Sequence, residues 1–174
     1  MRVAAILALG LLTAACGFQL RGQAQLPFET LYVAIPAVSP LGTELKRNII
    51  AGTRTRLVNT PGEAQAILEL VSEERGKTIL SFDSSGQVLE YQLHYRLKFR
   101  VRDARGRDYL PQSEIRLTRD VSYTSSQVLA KESEEQLLYR DMQSDVVQQI
   151  LRRLAAAPAE PVAFEPEPKD AAPR

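Results

Sequence analysis

The chain offers one thiol, Cys16, and one imidazole, His94, among 174 residues, and it has no tryptophan. That is too few His and Cys ligands to build a metal site, which takes about four donors. No G-x-S-x-G, P-loop or G-x-G-x-x-G pattern occurs, and no pair of carboxylates stands out by its spacing. Neither catalysis nor a cofactor is therefore expected. What remains is a thiol in a special place and a set of cations. Arg96, Lys98 and Arg100 recur at every second residue, and Lys131 lies further on. Such groups suit anionic oxygens such as phosphate, Lys as a compact charge and Arg as a planar fork. They equally suit solvated positions, on the open face of a sheet or beside a helix start. Both readings stay open at this point.

The place of Cys16 is the more telling feature. Arg2 supplies a positive start, Val3 to Leu12 are predominantly apolar, and Thr13-Ala14-Ala15 are small, which are the parts of a secretory signal. The apolar stretch is about ten residues, half of the roughly 20 that cross a bilayer as a helix. Ala14-Ala15-Cys16 resembles the lipobox of bacterial lipoproteins, with Leu12 one place further from the cysteine than the usual leucine. The resemblance implies cleavage before Cys16, a diacylglyceryl group on its thiol and an acyl chain on its new amino group. Several chains hold a protein stably where one gives only marginal binding. Gly17 replaces the Asp that retains lipoproteins in an inner membrane, so the periplasmic side of the outer membrane is the expected address. Residues 1–15 are then a signal peptide and residues 16–27 a lipidated tether. With a single cysteine, no intramolecular disulfide is possible.

Removing residues 1–15 takes Arg2 and no acid, leaving 159 residues with 21 basic and 21 acidic side chains. That length fits one domain with tails. Bulk nucleic-acid binding wants clustered excess cations and is not expected from this balance. Any basic function is local.

The elements that must position these cations follow from the hydrophobic pattern. Leu31 to Ile35 alternates as a short strand and stops at Pro36. Ser39 is an N-cap candidate with Pro40 at the first helical position, and Leu41, Leu45, Ile49, Ile50 and Leu57 recur at helical spacing. Gly52 weakens that helix by up to about 1 kcal/mol against Ala. Ala66 to Glu73 reads as a second strand, continued by Lys77 to Phe82 after an irregularity at Gly76. Asp83-Ser84-Ser85-Gly86 is a turn signal. From Tyr91 to Arg102 apolar and polar residues alternate, with Tyr91, Leu93, Tyr95, Leu97, Phe99 and Val101 on one side and His94, Arg96, Lys98 and Arg100 on the other. This is a half-buried antiparallel strand with its aromatic residues in a core. A hairpin at Asp103 to Asp108 leads to a partner strand over Ser113 to Tyr123. After the Thr124-Ser125-Ser126 break comes a long helix with the stripe Leu138, Met142, Val146, Val147, Ile150, Leu151 and Leu154. Residues 155–174, rich in Pro, Ala and Glu, are expected to be disordered.

The order β-α-β-β-β-α predicts an α/β (α+β) two-layer sandwich over residues 28–154. Two helices would pack on one face of a roughly four-stranded mixed sheet, mixed because the first two strands pair in parallel across the first helix.

These pieces together resemble the LptE family, lipoproteins of the outer-membrane lipopolysaccharide-assembly complex. The matching residues are Cys16-Gly17-Phe18-Gln19-Leu20-Arg21-Gly22, Gly86-Gln87 leading into Glu90-Tyr91-Gln92-Leu93, and Leu129-Ala130-Lys131. The resemblance implies a plug inside the LptD β-barrel that assists assembly of the barrel and contacts lipopolysaccharide. In the family that contact is associated with basic side chains near the turn before the long strand and near the start of the last helix. Lys131 matches the second position. At the first, this chain has Ser84-Ser85, which leaves Arg75 and Lys77 as the candidates to take over. Arg96, Lys98 and Arg100 are candidates for the barrel lumen or for lipid phosphates. Two other functions fit the same elements. One is an auxiliary lipoprotein of a lipid-transport ABC system, and the other is a periplasmic ligand carrier with an enclosed apolar cavity.

Overall fold

A computed structural model describes residues 25–123 and 128–162. Cys16, the signal segment, residues 16–24 of the tether, the Thr124-Ser125-Ser126 break and residues 163–174 lie outside the described residues. The elements run β1 (Thr30–Ala34), α1 (Pro40–Gly52), β2 (Arg56–Leu57), β3 (Ala66–Phe82), β4 (Val88–Arg102), β5 (Asp108–Ser122) and α2 (Val128–Ala155). One mixed sheet of order β2-β1-β3-β4-β5 carries both helices on one face. β1 pairs in parallel with β3 across α1, and β3, β4 and β5 form a long antiparallel meander. The two-layer α+β architecture therefore stands, with five strands in place of four.

The fifth strand explains where α1 stops. The helix starts as its sequence predicts, with the Ser39 hydroxyl accepting from Gly42 N–H at 3.2 Å and Pro40 in the first turn. It ends at Gly52 rather than running on to Leu57. Thr53 turns extended and returns its hydroxyl to Ile49 O at 2.8 Å, and Thr55 donates to Phe28 O at 2.9 Å. β-branched residues fit a strand better than a helix, and Arg56-Leu57 adds to the edge beside β1.

The core is the odd-numbered row of β4. Leu93, Tyr95, Leu97, Phe99 and Val101 are fully buried beneath Met142, Val146, Val147, Ile150 and Leu154 of α2 and Leu41, Leu45 and Ile49 of α1. Each such side chain contributes about 1.5–3 kcal/mol by leaving water. Two turns of the same design close the hairpins. Asp83 and Asp103 each accept from two backbone N–H groups through Oδ1, and Gly86 and Gly106 sit at φ of 80° and 84°, a region that favours glycine.

β3 departs from simple alternation, but not at Gly76. The register slips between Leu70 and Ser72, so Val71 is an extra residue. One extra residue exchanges the two faces from Ser72 to Ile79, beyond which further register shifts follow between Ile79 and Phe82. Glu73, Arg75 and Lys77 consequently turn toward the helices. Arg75 donates to Glu73 at 2.7 Å, to the Tyr95 hydroxyl at 3.1 Å and to Gln143 at 2.9 Å, while Gln143 in turn donates to Glu44 of α1 at 2.7 Å. One polar chain thus ties β3, β4, α2 and α1 together. Of the tail expected to be disordered, residues 155–162 are described, and they touch the domain at two points. Ala155 closes α2, Ala157 is buried, and Val162 pairs with Asp108.

Two glycines of α1 separate packing from propensity. A methyl at Gly42 would sit 2.8 Å from Ile35 Cγ2, whereas one at Gly52 meets nothing within 4 Å. Gly42→Ala is expected to cost about 1–3 kcal/mol through overpacking. Gly52→Ala is expected to add up to about 1 kcal/mol. Urea unfolding of the two variants reads both, and the same sign for both would show that the α1–β1 contact is looser than described.

Candidate functional site

The face of the sheet opposite the helices is where the even-numbered cations of β4 emerge. Their setting is decided by the neighbours that register brings alongside. Arg100 reaches Glu69 at 2.7 Å, and Arg102 reaches the same carboxylate at 2.5 Å. Arg96 lies 3.2 Å from Glu114 and 3.7 Å from Glu74, and Glu114 also holds Arg116 at 2.8 Å. Arg96 Nε is buried at its atom and points off the Glu114 oxygen, so that contact is an ion pair without a hydrogen bond. The hydrogen bond from Arg102 holds the Glu69 carboxyl below the usual carboxylate range, and the Arg116 hydrogen bond does the same for Glu114. Lys98 differs from its neighbours. It faces Ser72 on one side and Glu114 on the other in register, and its ammonium has no hydrogen bond or close ion pair among the described residues. His94 lies over Gly76, where a Cβ would come within 2.5 Å of its Nε2. The face is therefore a lattice of paired charges rather than a basic stripe.

A second cluster lies at the far end of the β3–β4 hairpin, on the helix side. Lys131, in the first turns of α2, donates to Ser122 Oγ at 3.1 Å and to Glu134 at 2.8 Å, and its side chain is only 16% exposed. Lys77 donates to Glu135 at 2.6 Å, with its Nζ 5.1 Å from the Tyr91 ring centroid. The Glu135 hydrogen bond pushes the Lys77 pKa up. Both ammonium groups line one cleft of about 120 Å³ with Tyr91, Tyr123 and Glu135. Around and beyond this cleft are exposed apolar side chains. Ile79, Leu80 and Leu89 are about half exposed, Phe82 is 59% exposed and Leu129 is 80% exposed.

The four candidate cations are thus not one site. Arg96, Lys98 and Arg100 share the open face. Lys131 lies on the helix side at the level of Ser122, six residues along β5 from the partner of Arg96, or about 20 Å at the usual rise per residue. Of the two candidates to replace a cation at the Ser84-Ser85 turn, Lys77 joins the Lys131 cleft and Arg75 is held under α2. Sequence reasoning missed the carboxylates. Glu74 reaches the open face only because Val71 shifts the register, and Glu135 meets Lys77 through the packing of α2. Glu69 and Glu114 alternate in phase with the cations and were legible once the strands were paired.

One face closed by helices, the other laced with paired charges, and a cleft of paired lysines and glutamates beside an apolar tip offer surfaces for interaction. The chain belongs to the LptE lipopolysaccharide-assembly family, whose profile matches residues 28–154. It is similar to the LPS-assembly lipoprotein LptE of Photorhabdus laumondii, 28% identical over 147 residues that cover 83% of this chain and 79% of that one. The LptE of Yersinia enterocolitica is likewise 28% identical, over 83% of this chain and 70% of its own. A solution NMR structure of lipoprotein B from Nitrosomonas europaea superposes with a TM-score of 0.70 at 45% identity, covering 80% of this chain and 91% of that one. A crystal structure of rare lipoprotein B from Shewanella oneidensis shares the fold, with a TM-score of 0.65 at 23% identity over 73% of this chain and 94% of that one.

The Glu69 pair fixes how the open face responds to acid. A carboxyl whose folded pKa is depressed adds stability above the ordinary carboxylate range and loses it as pH falls through the folded value. Glu69→Gln is expected to cost about 1 kcal/mol near neutral pH, the upper end for a partly exposed pair. The gap from the parent protein should close as pH drops below 4. Urea midpoints across pH test this, and a gap that widens in acid would show that Glu69 is not held as an ion.

Proposed function

We propose that the chain is an outer-membrane lipoprotein, held on the periplasmic side by lipid on Cys16, that plugs an LptD-type β-barrel, assists its assembly and contacts lipopolysaccharide. Residues 1–15 are its signal peptide, residues 16–27 its tether and residues 28–154 its working domain, and its role is binding rather than catalysis. The observation that carries this reading is the family match across the whole folded domain.

Two surfaces supply its physical logic. The interior of an outer-membrane barrel is polar, and an uncovered sheet face whose charges are already paired can enter such a lumen without stranding an ion. Arg96 and Arg100 bring their own carboxylates, and Lys98 is the cation left for a partner's acid. At the other cluster, Lys77 and Lys131 offer two ammonium groups beside exposed Phe82 and Leu129. That juxtaposition suits a ligand with phosphates next to acyl chains. The phosphates must displace Glu134 and Glu135 from the two lysines.

Affinity purification of the membrane-bound protein is expected to bring down a large β-barrel in a one-to-one ratio. Recovery of transporter components without a barrel would overturn the plug. For the ligand, Lys77→Ala with Lys131→Ala is expected to weaken lipopolysaccharide binding roughly tenfold or more, on the scale of two charge-assisted contacts. Glu134→Gln with Glu135→Gln should strengthen it by freeing the same lysines. Binding unchanged in both pairs would remove the cleft from the account.

A further inference from the structure

The end of the domain opposite the hairpin tip carries cations that neither site uses. Lys46 and Arg47 lie on the solvent side of α1, and Arg54 and Arg56 follow in the segment that leads into β2. Arg47, Arg54 and Arg56 are exposed and Lys46 is half-buried. None of the four side chains has a hydrogen-bond or ion-pair partner among the described residues. This sets them apart from Arg96, Arg100 and Arg102, each of which has a carboxylate of its own. Ile50, 67% exposed, lines an open groove together with Lys46 and Arg47. A second groove, lined by Arg54 and Arg56, is also lined by Gln25 and Phe28, where the chain arrives from its N-terminus. Glu29 is the one carboxylate lining either groove, against four cations.

We infer that this face, formed by α1 and the β2 edge, rests on anionic phospholipid headgroups, with Lys46, Arg47, Arg54 and Arg56 over the phosphates and Ile50 entering the interface. Unpaired cations beside an exposed aliphatic side chain match an anionic membrane surface, where each Lys or Arg contributes about 1 kcal/mol. The place of the chain end points the same way. Eight residues separate Cys16 from Gln25, and the nine steps between them span at most about 30 Å. A lipid on Cys16 therefore keeps the bilayer within reach of these grooves and of no comparable unpaired patch at the hairpin tip. The orientation rests on the anchor reading of Cys16, while the affinity for anionic lipid does not.

The test uses the full chain with Cys16→Ala, which takes no lipid and leaves no cysteine, so residues 1–15 are common to every variant. Flotation with phosphatidylcholine vesicles, with and without phosphatidylglycerol, is expected to show tighter binding to the anionic ones. Adding Arg47→Ala, Arg54→Ala and Arg56→Ala should weaken that binding on the order of 100-fold, at about fivefold per cation. Arg116→Ala with Arg119→Ala should leave it unchanged. An environment-sensitive dye attached through Ile50→Cys should shift on the vesicles, and one attached through Thr118→Cys should not. Equal affinity for the two vesicle types overturns the proposal, as does equal loss in the Arg116/Arg119 variant or an equal dye shift at residue 118. Because no lipidated protein is used, that failure would leave the anchor on Cys16 untouched. Absent cleavage at Cys16 in cells would in turn leave the headgroup contact standing.

Discussion

Everything in this domain depends on β4 having two unlike edges to its side-chain ladder. The odd-numbered side chains from Leu93 to Val101 are buried without remainder under two helices. The even-numbered ones must then face outward, and they are Gln92, His94, Arg96, Lys98, Arg100 and Arg102. One strand therefore specifies the core and the interaction face together. A change of register by one residue would bury four arginine and lysine side chains, a cost of several kcal/mol per unpaired ion. That penalty makes the two-faced arrangement robust and leaves the open face charged whatever it meets.

Charge on that face is managed by neighbours rather than by solvent. Glu69 serves Arg100 and Arg102, and Glu114 serves Arg96 and Arg116. The bulge at Val71 makes this possible beyond Leu70. It sends Glu74 to the open face and turns Glu73, Arg75 and Lys77 inward, where they become a polar chain to Glu44 and part of a lysine–glutamate cleft. A single inserted residue thus separates a structural network from the surface lattice. The same shift explains why Arg75 and Lys77, two residues apart, do different work. Arg75 locks helices to sheet, and Lys77 lines a cleft with Lys131.

Much of this was legible in the sequence, and the gaps have physical causes. The long alternation from Tyr91 to Arg102, the Ser39 cap and the two Asp-x-x-Gly turns all rest on local chemistry, and the fold repeats them. The α2 stripe was legible for the same reason. Leu57 fits a helical stripe by spacing alone, but Thr53 and Thr55 spend their hydroxyls ending the helix, and the residue joins an edge strand instead. The irregularity of β3 was expected at Gly76, the residue without a side chain, whereas the register shifts fall at Val71, which has no turn chemistry to mark it, and again between Ile79 and Phe82. Candidate cations were visible one by one. Their partners were not, because Glu74 and Glu135 reach Arg96 and Lys77 only through strand register and helix packing. Sequence alone therefore read a basic stripe where the fold builds a neutralised lattice.

The central claim is that the open face of the sheet, opposite the helices, is the surface that a barrel covers. Thr118 lies on it, exposed and across from His94. The only native thiol is that of Cys16, which the proposed lipid would block, so Thr118→Cys places one reactive thiol on that face. Its reaction with a maleimide should be fast in the isolated protein and slowed at least about tenfold when the protein is produced in the membrane together with the proposed LptD-type barrel. Equal rates in the two settings would contradict the account.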